Sequence, residues 1–403
     1  MNDRPHHSEV GASPLPRICH VSADFPDPIV PDKTPVIRSF LELTQGRFDH
    51  RVLSINRTSP AMRHLFAGRS APAKVEFARF DWGECLTYEA PARGLFHRSS
   101  LEKLADTLAA RIEEGPLPDL LVGHKLTVEG IVVHRIAKQL GVPYALTIQG
   151  NTDAKILAAR PDLAPLFRTI FHGARSVTVF APWALSRIEA KLGKRTGPVA
   201  LIPCPTELDR ALAPCTAGNG LLSVFHLRGH ANKNLAGMAE ALRILAGRGS
   251  PQSLTICGGG SEADVAEARA STRNAPGLVF EGPLARDEVA ARMNAATAFV
   301  LPSLRESFGL VFIEALFAGL PIIYPQGIAV SGWFDDCPFA IPVPARDPAA
   351  LAEAMAHAAR SEERLKQALA RWQASGAADR FRRTAIASAY GDALAAALAG
   401  AAA

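Results

Sequence analysis

The chain has 403 residues, of which 48% are apolar and 21% charged, with six cysteines. This composition is typical of globular proteins and excludes a collagen-like, a low-complexity or a small disulfide-stapled protein. Residues 1–210 hold 27 Lys and Arg against 22 Asp and Glu, whereas residues 211–403 hold 17 of each kind. The basic excess of the first half favours an anionic partner, such as a phosphorylated acceptor or a membrane surface, and its scatter argues against nucleic acid.

Residues 1–16 are polar and proline-containing without an apolar core, so we expect a disordered leader and not a signal peptide. The cysteines form no Cys-x-x-Cys pair, which favours free thiols in a reducing compartment. Residues 315–334 carry no charge, but their prolines and glycines would stop a helix, so no transmembrane helix is expected. The resulting prediction is a cytoplasmic protein, at most peripheral at the inner face of a membrane.

From residue 17 onward, apolar strand-like runs alternate with helix-like runs. The first half predicts strands at 17–23, 50–55, 119–122, 144–148, 176–179 and 199–202, with helices at 35–44, 101–114, 128–140 and from 182. The second half predicts strands at 221–227, 254–257, 278–280, 298–301 and 322–324, with helices at 235–246, 262–271, 287–295 and 308–317. Three helical stretches close the chain, at about 348–359, 362–374 and 381–398.

Two such series indicate an α/β fold with two parallel-sheet domains, at residues 17–205 and 206–380. The linker is expected near 203–219, where prolines and glycines cluster. In open α/β domains ligands bind beyond the carboxyl ends of the strands. The chemistry is therefore expected in loops that follow strands, in a cleft between the two domains.

One carboxylate stands inside an apolar helix. The pattern predicts a helix that begins at Phe308, with Ser307 as its cap, and ends at Gly319. Glu314 lies in the middle of it with no Lys or Arg within four residues. An unpaired buried carboxylate is costly, so its partners must come from elsewhere, and ligand hydroxyls qualify. A carboxylate that caps a neighbouring loop is the purely structural alternative.

The start of the same helix is suited to phosphate. The amides of Phe308, Gly309 and Leu310 would be free first-turn donors, and Gly309 permits close backbone approach. Glu306 precedes Glu314 by eight positions, which corresponds to at most ~12 Å along a helix axis. That is roughly the span from a nucleotide ribose across a diphosphate to a sugar.

This segment resembles the E-x7-E signature of retaining glycosyltransferases of family 4, also called glycosyl transferases group 1, which have the GT-B fold. The resemblance rests on the run Glu306-Ser-Phe-Gly-Leu-Val-Phe-Ile-Glu314 and on the Ala-Leu-Phe-Ala-Gly-Leu-Pro that follows it. It implies that Glu306 faces the transferred sugar, that Glu314 holds the ribose and that the Gly309 and Leu310 amides hold the distal phosphate. It also implies two Rossmann-like domains across a cleft, with a C-terminal helix at 381–403 that crosses back to the first, acceptor-side domain.

A basic pair follows the strand predicted at 221–227. Arg228 and Lys233 could neutralise the charge on a departing nucleoside diphosphate, although such a pair is by itself more typical of a solvated surface. Family members carry a similar Arg-x4-Lys-Gly segment that clamps the donor diphosphate, and Asn234 here replaces the glycine. The sequence contains no Asp-x-Asp triplet, so we expect neither a metal nor a cofactor.

A second glycine-rich turn imitates a dinucleotide fingerprint. Gly258-Gly-Gly-Ser-Glu-Ala263, with Glu281 further along, would fit a dehydrogenase, but it stands at the second strand-to-helix turn of its domain and not the first. We interpret the glycines as packing beside the nucleotide. Gly282 and Leu284, in the turn after the next strand, are candidate contacts to the base.

Candidates in the first half are less specific. His124 follows a strand, where family members often carry a histidine beside the donor sugar; a structural histidine is the alternative. Lys33 and Thr34, in a loop where relatives have paired glycines, could contact phosphate or acceptor, or belong to a solvated loop. Gln149 stands where relatives commonly have histidine.

The combined prediction is a retaining, metal-independent glycosyltransferase that moves a sugar from a nucleoside diphosphate sugar to a hydroxyl group. Its acceptor would be a lipid-linked molecule or a saccharide in surface polysaccharide or glycolipid assembly. The sequence offers no second carboxylate placed as a nucleophile, so front-face substitution is favoured as a family inference. A sugar-nucleotide epimerase on the same fold and a catalytically silent GT-B scaffold are the alternatives. The sugar, the base and the acceptor stay open.

Overall fold

A computed structural model of the protein describes residues 14–59, 76–91 and 96–400. Most of the predicted leader lies outside these ranges. The strands are β1 Arg17–Ser22, β2 Asp49–Thr58, β3 Phe77–Phe80, β4 Gly83–Glu89, β5 Leu120–Gly123, β6 Tyr144–Ile148, β7 Val177–Val179, β8 Val199–Leu201, β9 Leu221–Val224, β10 Leu254–Cys257, β11 Leu278–Gly282, β12 Ala298–Val300, β13 Ile322–Pro325 and β14 Ala340–Val343.

The α-helices alternate with these strands along most of the chain. They are α1 Val36–Thr44, α2 His97–Glu113, α3 Glu129–Leu140, α4 Asn151–Ala159, α5 Ala164–Gly173, α6 Pro182–Leu192, α7 Leu235–Gly247, α8 Glu262–Thr272, α9 Arg286–Asn294, α10 Leu310–Phe317, α11 Pro348–Arg360, α12 Glu362–Ala374 and α13 Arg383–Ala399. Central strands such as β5, β6 and β10 are buried along their whole length, as is typical of parallel sheets covered on both faces.

The strands form two sheets, one in each half of the chain. The first has the order β3-β4-β2-β1-β5-β6-β7-β8, and within it only the β3–β4 pair is antiparallel. The second has the order β11-β10-β9-β12-β13-β14 and all its described pairs are parallel. The chain reverses its winding direction between β1 and β5 in the first sheet and between β9 and β12 in the second. Each reversal opens a crevice at the carboxyl ends of the strands, where ligands bind in such folds.

Two tryptophans join the domains. The indole nitrogen of Trp183 donates to the carbonyl of Ala329 at 2.8 Å, and that of Trp333 donates to the carbonyl of Phe180 at 3.0 Å. The linker region is held by the second domain, since the Leu212 amide donates to the carbonyl of Phe317 at 2.7 Å. These hydrogen bonds fix the position of one domain, and of its crevice, relative to the other.

The last helix, α13, lies against the first domain. Tyr390 packs on Phe40 of α1 with ring centroids 4.8 Å apart, and Arg47 forms an ion pair with Asp392 at 2.9 Å. The chain therefore crosses between the domains a second time near residue 380.

The structure adds elements that the pattern did not predict. These are the strands β3, β4 and β14 and the helices α4 and α5. The uncharged run 315–334 forms the end of α10, strand β13 and turns. In the described part of the chain, no helix has both the length and the apolar character needed to cross a bilayer.

Candidate active site

A cleft of about 540 Å³ lies between the two domains, where their two crevices face each other. Its first-domain wall consists of residues in the loops and first helical turns that follow β1, β5, β6, β7 and β8: Asp24, Thr34, Val36, Lys125, Gln149, Thr152, Phe180 and Cys204. Its second-domain wall consists of residues 224–226, Lys233 and the continuous run 306–311. Volumes of about 300–1,000 Å³ are typical of small-molecule sites. The cleft thus has the place and the size expected of a ligand site.

The loops after β9 and β12 form one unit across the second crevice. Lys233 Nζ donates to Glu306 Oε2 at 2.5 Å, joining residues 73 positions apart. Asn232 supports this pair, because its side-chain nitrogen donates to the carbonyl of Arg305 at 2.9 Å. The Leu304 amide in turn donates to the carbonyl of Asn232 at 2.7 Å. The basic loop (residues 228–233) and the segment around Glu306, both noted in the sequence, therefore lie in contact.

The predicted start of the apolar helix is wrong by two residues. The helix begins at Leu310, and Ser307 forms no side-chain capping bond. The reason is Gly309, whose φ of 78° is left-handed and incompatible with a helical turn starting at Phe308. Gly309 itself occupies the cap position.

This break leaves a row of free amide donors. In the described structure, none of the amides of residues 307–311 donates a hydrogen bond to a backbone or side-chain acceptor. All five residues line the cleft, directly beside the Lys233–Glu306 pair. Unpaired amides at the amino end of a helix attract anions through both hydrogen bonding and the helix dipole. The segment therefore presents unpaired amide donors at the cleft wall, an arrangement suited to an anion.

Substituting Gly309 with alanine should destabilise the second domain by about 1–2 kcal/mol. A Cβ atom there would lie 2.7 Å from the Phe312 ring and 3.1 Å from Glu306 Cγ, at a strained positive φ. Urea unfolding measures the loss, with Gly247→Ala as the matched control, since no heavy atom lies within 4 Å of a Cβ at that position. Equal stability of the two variants would contradict this account of the turn.

Glu314 follows the free amides by about one turn of α10 and is not among the described residues that line the cleft. Its side chain is half-buried, and in the described structure its carboxylate has no hydrogen-bond partner. Burial raises the pKa of Glu314, while Arg286 opposes that shift and Glu207 adds to it. An ionised carboxylate held in this state is suited to accept hydrogen bonds from ligand hydroxyls.

The remaining second-domain candidates lie apart from the cleft wall. Arg228 is exposed in the 3₁₀ turn Leu227–Gly229. Gly282 and Leu284 lie at and just beyond the end of β11. None of these three is among the described residues that line the cleft. His226, which sequence reasoning missed, does line it and accepts a hydrogen bond from the Arg228 amide at 3.2 Å.

The dinucleotide-like motif is engaged within the protein. Ser261 and Asp264 form a capping box at the start of α8, which places a carboxylate where a pyrophosphate would bind. Glu281 pairs with Arg292 at 2.9 Å. The observations that favoured a dehydrogenase therefore have structural explanations.

Lys33 and Thr34 have different surroundings in the structure. Lys33 is largely buried and donates to Asp27 at 2.8 Å and to Ser54 at 3.0 Å. Burial alone would raise the pKa of Asp27, but hydrogen bonds from Lys33, Ser54 and Asn56 lower it to about 2. Thr34 lines the cleft. The lysine thus has an evident structural task, and the threonine keeps access to a ligand.

The charged residues on the first-domain wall are paired. Lys125 lies 2.6 Å from Asp24, and 3.9 Å from Glu129, which is fully buried behind the wall. Burial raises the pKa of Glu129 to about 7, with Lys125 opposing. The basic excess of the first half therefore lies mainly outside the cleft.

His124 is only 1% exposed and lies behind the cleft wall. Its Nε2 atom shares a hydrogen bond with Nδ1 of His20 at 3.0 Å. Its carbonyl accepts from the side chain of Gln149, a cleft residue, at 2.9 Å. Its Nδ1 atom is buried and has no partner in the described structure. The structure thus places His124 beside the cleft but does not expose it there.

The chain is similar to known glycosyltransferases in sequence and in structure. Residues 217–372, which carry β9 to β14, the basic loop and the free amides, match the family model of glycosyl transferases group 1. Over these residues the second domain is thus similar to the glycosyl transferases group 1 family. The chain is also 26% identical over 210 residues to a 2-deoxystreptamine glucosyltransferase of Streptomyces kanamyceticus. That match covers 46% of this chain and 53% of the relative, so the chain spans about half the length of the curated relative it matches.

Solved structures resemble the whole chain. Sucrose-phosphate synthase from Thermosynechococcus elongatus superposes with a TM-score of 0.69 at 20% identity, covering 96% of this chain and 100% of that one. A trehalose-phosphate synthase from Burkholderia xenovorans gives 0.63 at 12% identity, covering 95% and 100%. A lipopolysaccharide outer core galactosyltransferase gives 0.63 at 13% identity, covering 94% and 99%. The chain therefore has the GT-B fold, as predicted, and its second domain carries the match to the glycosyl transferases group 1 model.

Proposed function

We propose that the protein is a retaining glycosyltransferase that transfers a sugar from a nucleoside diphosphate sugar to a hydroxyl group, without a metal. The observation that carries this proposal is the anion site at the second crevice. Five consecutive free amides lie beside Lys233 and Glu306 and face a cleft lined by both domains. A diphosphate with a sugar attached is the ligand whose charges and hydroxyls match these groups.

The donor would lie along the second domain. Its distal phosphate would accept hydrogen bonds from the amides of residues 307–311 and interact with Lys233. Glu314 would hold the ribose hydroxyls, and Glu306 would face the sugar. Arg228 would need to swing inward from its exposed position to reach the phosphates. The unpaired amides and Lys233 at the cleft wall support the phosphate contacts of this arrangement.

The chemistry requires that negative charge on the departing diphosphate be stabilised. As the bond between the sugar anomeric carbon and the phosphate oxygen breaks, charge develops on that oxygen, next to Lys233 and the helix end. The acceptor hydroxyl oxygen forms the new bond on the same face. Its proton passes to the leaving phosphate oxygen. This balance needs no protein nucleophile.

The acceptor would contact the first-domain wall. That wall presents a paired Lys125 and Asp24 with the polar side chains of Thr34, Gln149 and Thr152. Paired charges and hydroxyls suit a polyhydroxylated molecule, and the names of the relatives, which include an aminocyclitol glucosyltransferase and a sugar-phosphate synthase, agree with such an acceptor. A lipid carrier for it, and contact with an anionic membrane surface, would involve the basic residues outside the cleft.

A donor and acceptor screen tests the proposal. The full-length protein is incubated with UDP-, GDP- and ADP-sugars, with and without saccharide, aminocyclitol or lipid-linked acceptors. Release of the nucleoside diphosphate that depends on an acceptor, with an unchanged anomeric configuration by NMR, would support it. An altered sugar formed without any acceptor would indicate an epimerase. No turnover and no nucleotide binding would contradict the proposal.

A further inference from the structure

One buried carboxylate holds the loop between β1 and α1. Asp27 Oδ1 accepts hydrogen bonds from the amides of Ile29 and Val30 at 2.8 and 2.9 Å. Asp27 Oδ2 accepts from the side chains of Ser54 at 2.5 Å and Asn56 at 2.9 Å, and both of these residues belong to β2. Asp27 therefore ties the loop to the neighbouring strand.

The fifth donor to Asp27 is the ammonium group of Lys33. Its Nζ atom lies 2.8 Å from Asp27 Oδ2 and 3.0 Å from Ser54 Oγ, and the lysine side chain is largely buried. A lysine ammonium is a compact, strongly hydrated charge, so a buried one needs such partners in place of water. The charge of Lys33 is therefore neutralised inside the loop.

Lys33 nevertheless adjoins the cleft. Thr34 directly follows it, and Asp24 stands at the other end of the same loop; both of these residues line the cleft. A lysine has a flexible four-carbon stem, which could carry the ammonium group of Lys33 past Thr34 if its carboxylate partner were removed. Asp27 thus withholds a cation from the first-domain wall.

The lysine that does line this wall is neutralised as well. Lys125 lies 2.6 Å from Asp24 and 3.9 Å from the fully buried Glu129. Among the described residues of the first-domain wall, no cation is therefore without a carboxylate partner. A phosphate or carboxylate group placed against the wall would lose its water and gain no free cation, which is costly.

We propose that Asp27 is a positioning residue that determines acceptor specificity. By holding Lys33 away from the cleft, it selects a polyhydroxylated acceptor that carries no anionic group where it contacts the first-domain wall. That such a molecule receives the transferred sugar rests on the proposed function. The anionic partner that the basic first half favours is then bound outside the cleft.

Matched acceptors test this selection in the full-length protein. With any active donor, kcat/KM is measured for each saccharide or cyclitol that is used and for its monophosphate ester. We expect the wild-type protein to use the unphosphorylated acceptor at least about tenfold better. Equal or better use of the ester would overturn the proposal. It would point instead to the exposed cations Lys155, Arg187 and Arg305, which line a neighbouring groove between the domains.

Asp27→Asn tests the role of the carboxylate. It frees Lys33 and should raise the use of the ester, relative to the unphosphorylated acceptor, by about tenfold, the size of one charge-assisted hydrogen bond. The double variant Asp27→Asn/Lys33→Met should return this ratio to the wild-type value. A general loss of stability does not move a ratio measured within one variant. Asp32→Asn, which changes an exposed carboxylate of the same loop, is the matched control. A wild-type ratio in Asp27→Asn would overturn the role of Asp27.

Lys33→Met decides the question if Asp27→Asn does not fold. Its acceptor ratio should stay within about twofold of the wild-type ratio, because Asp27 already withholds the cation. A marked loss in the use of the ester would show that Lys33 reaches the ligand and would overturn the proposal. Turnover without any preference between the two acceptors contradicts this inference alone. If no acceptor is used with any donor, the proposed function fails, and the inference fails with it.

Discussion

Replacing Lys233 with methionine should lower kcat by about 10²- to 10³-fold, the usual effect of removing one group that stabilises developing charge. Lys125 and Lys233 are the lysines among the described residues that line the cleft, and Lys125 belongs to the first-domain wall. Lys233 lies beside the free amides and would face the departing diphosphate. Its ammonium group therefore has the most favourable position to neutralise that charge.

The stability of Lys233→Met should change by no more than about 1 kcal/mol, because partly exposed ion pairs contribute little to folding. The Lys233 and Glu306 side chains are 24% and 16% exposed. Steady-state kinetics and thermal denaturation together separate the two effects. Lys233→Arg keeps the charge and should retain more activity than Lys233→Met. Lys194→Met removes an exposed charge outside the cleft and serves as the control. Full activity of Lys233→Met would show that the diphosphate leaves elsewhere.

Replacing Glu314 with glutamine should have opposite effects on stability and on donor binding. The ligand-free protein pays for a half-buried carboxylate without a partner, so Glu314→Gln should stabilise it by about 1 kcal/mol at pH 8. Donor affinity should fall about tenfold or more, because a charged acceptor for ribose hydroxyls becomes a neutral one. A residue with a purely structural role would not show this combination.

The stability gain should depend on pH. Because the folded protein raises the pKa of Glu314, this group favours folding below its unfolded pKa and loses that contribution as pH rises through the folded value. The difference between Glu314→Gln and wild type should therefore be larger at pH 8 than at pH 5. Thermal denaturation and calorimetric titration with nucleotide measure both effects, with exposed Glu267→Gln in α8 as the control. A destabilised Glu314→Gln with normal donor affinity would refute the ribose assignment.

The sequence predicted the alternating architecture well because long buried strands and amphipathic helices leave clear periodic patterns. It missed β3, β4 and β14, which lie at a sheet edge or next to one. It also missed α4 and α5, which follow Gln149 in a stretch that departs from the family. The order of strands, and hence the two crevices, depends on pairing between distant segments and cannot be read from local pattern.

The candidate site was predictable where a single segment carried it. The sequence of residues 306–314 predicted both free amide donors and a carboxylate without a local partner. The helix starts two residues later than predicted because Gly309 is left-handed. Contacts between distant residues were not predictable. Lys33 was a candidate contact to phosphate or acceptor, with a solvated loop as the alternative, and its buried ion pair with Asp27 depends on the tertiary fold.

Binding of nucleoside diphosphates to the full-length protein tests the central claim most directly. The thermal midpoint is measured with UDP, GDP and ADP, in the wild-type protein and in Lys233→Met. We predict that at least one diphosphate raises the midpoint of the wild-type protein and that the rise is much smaller in Lys233→Met. If none of the three shifts the wild-type midpoint, or if Lys233→Met responds equally, the free amides and Lys233 do not form a diphosphate site.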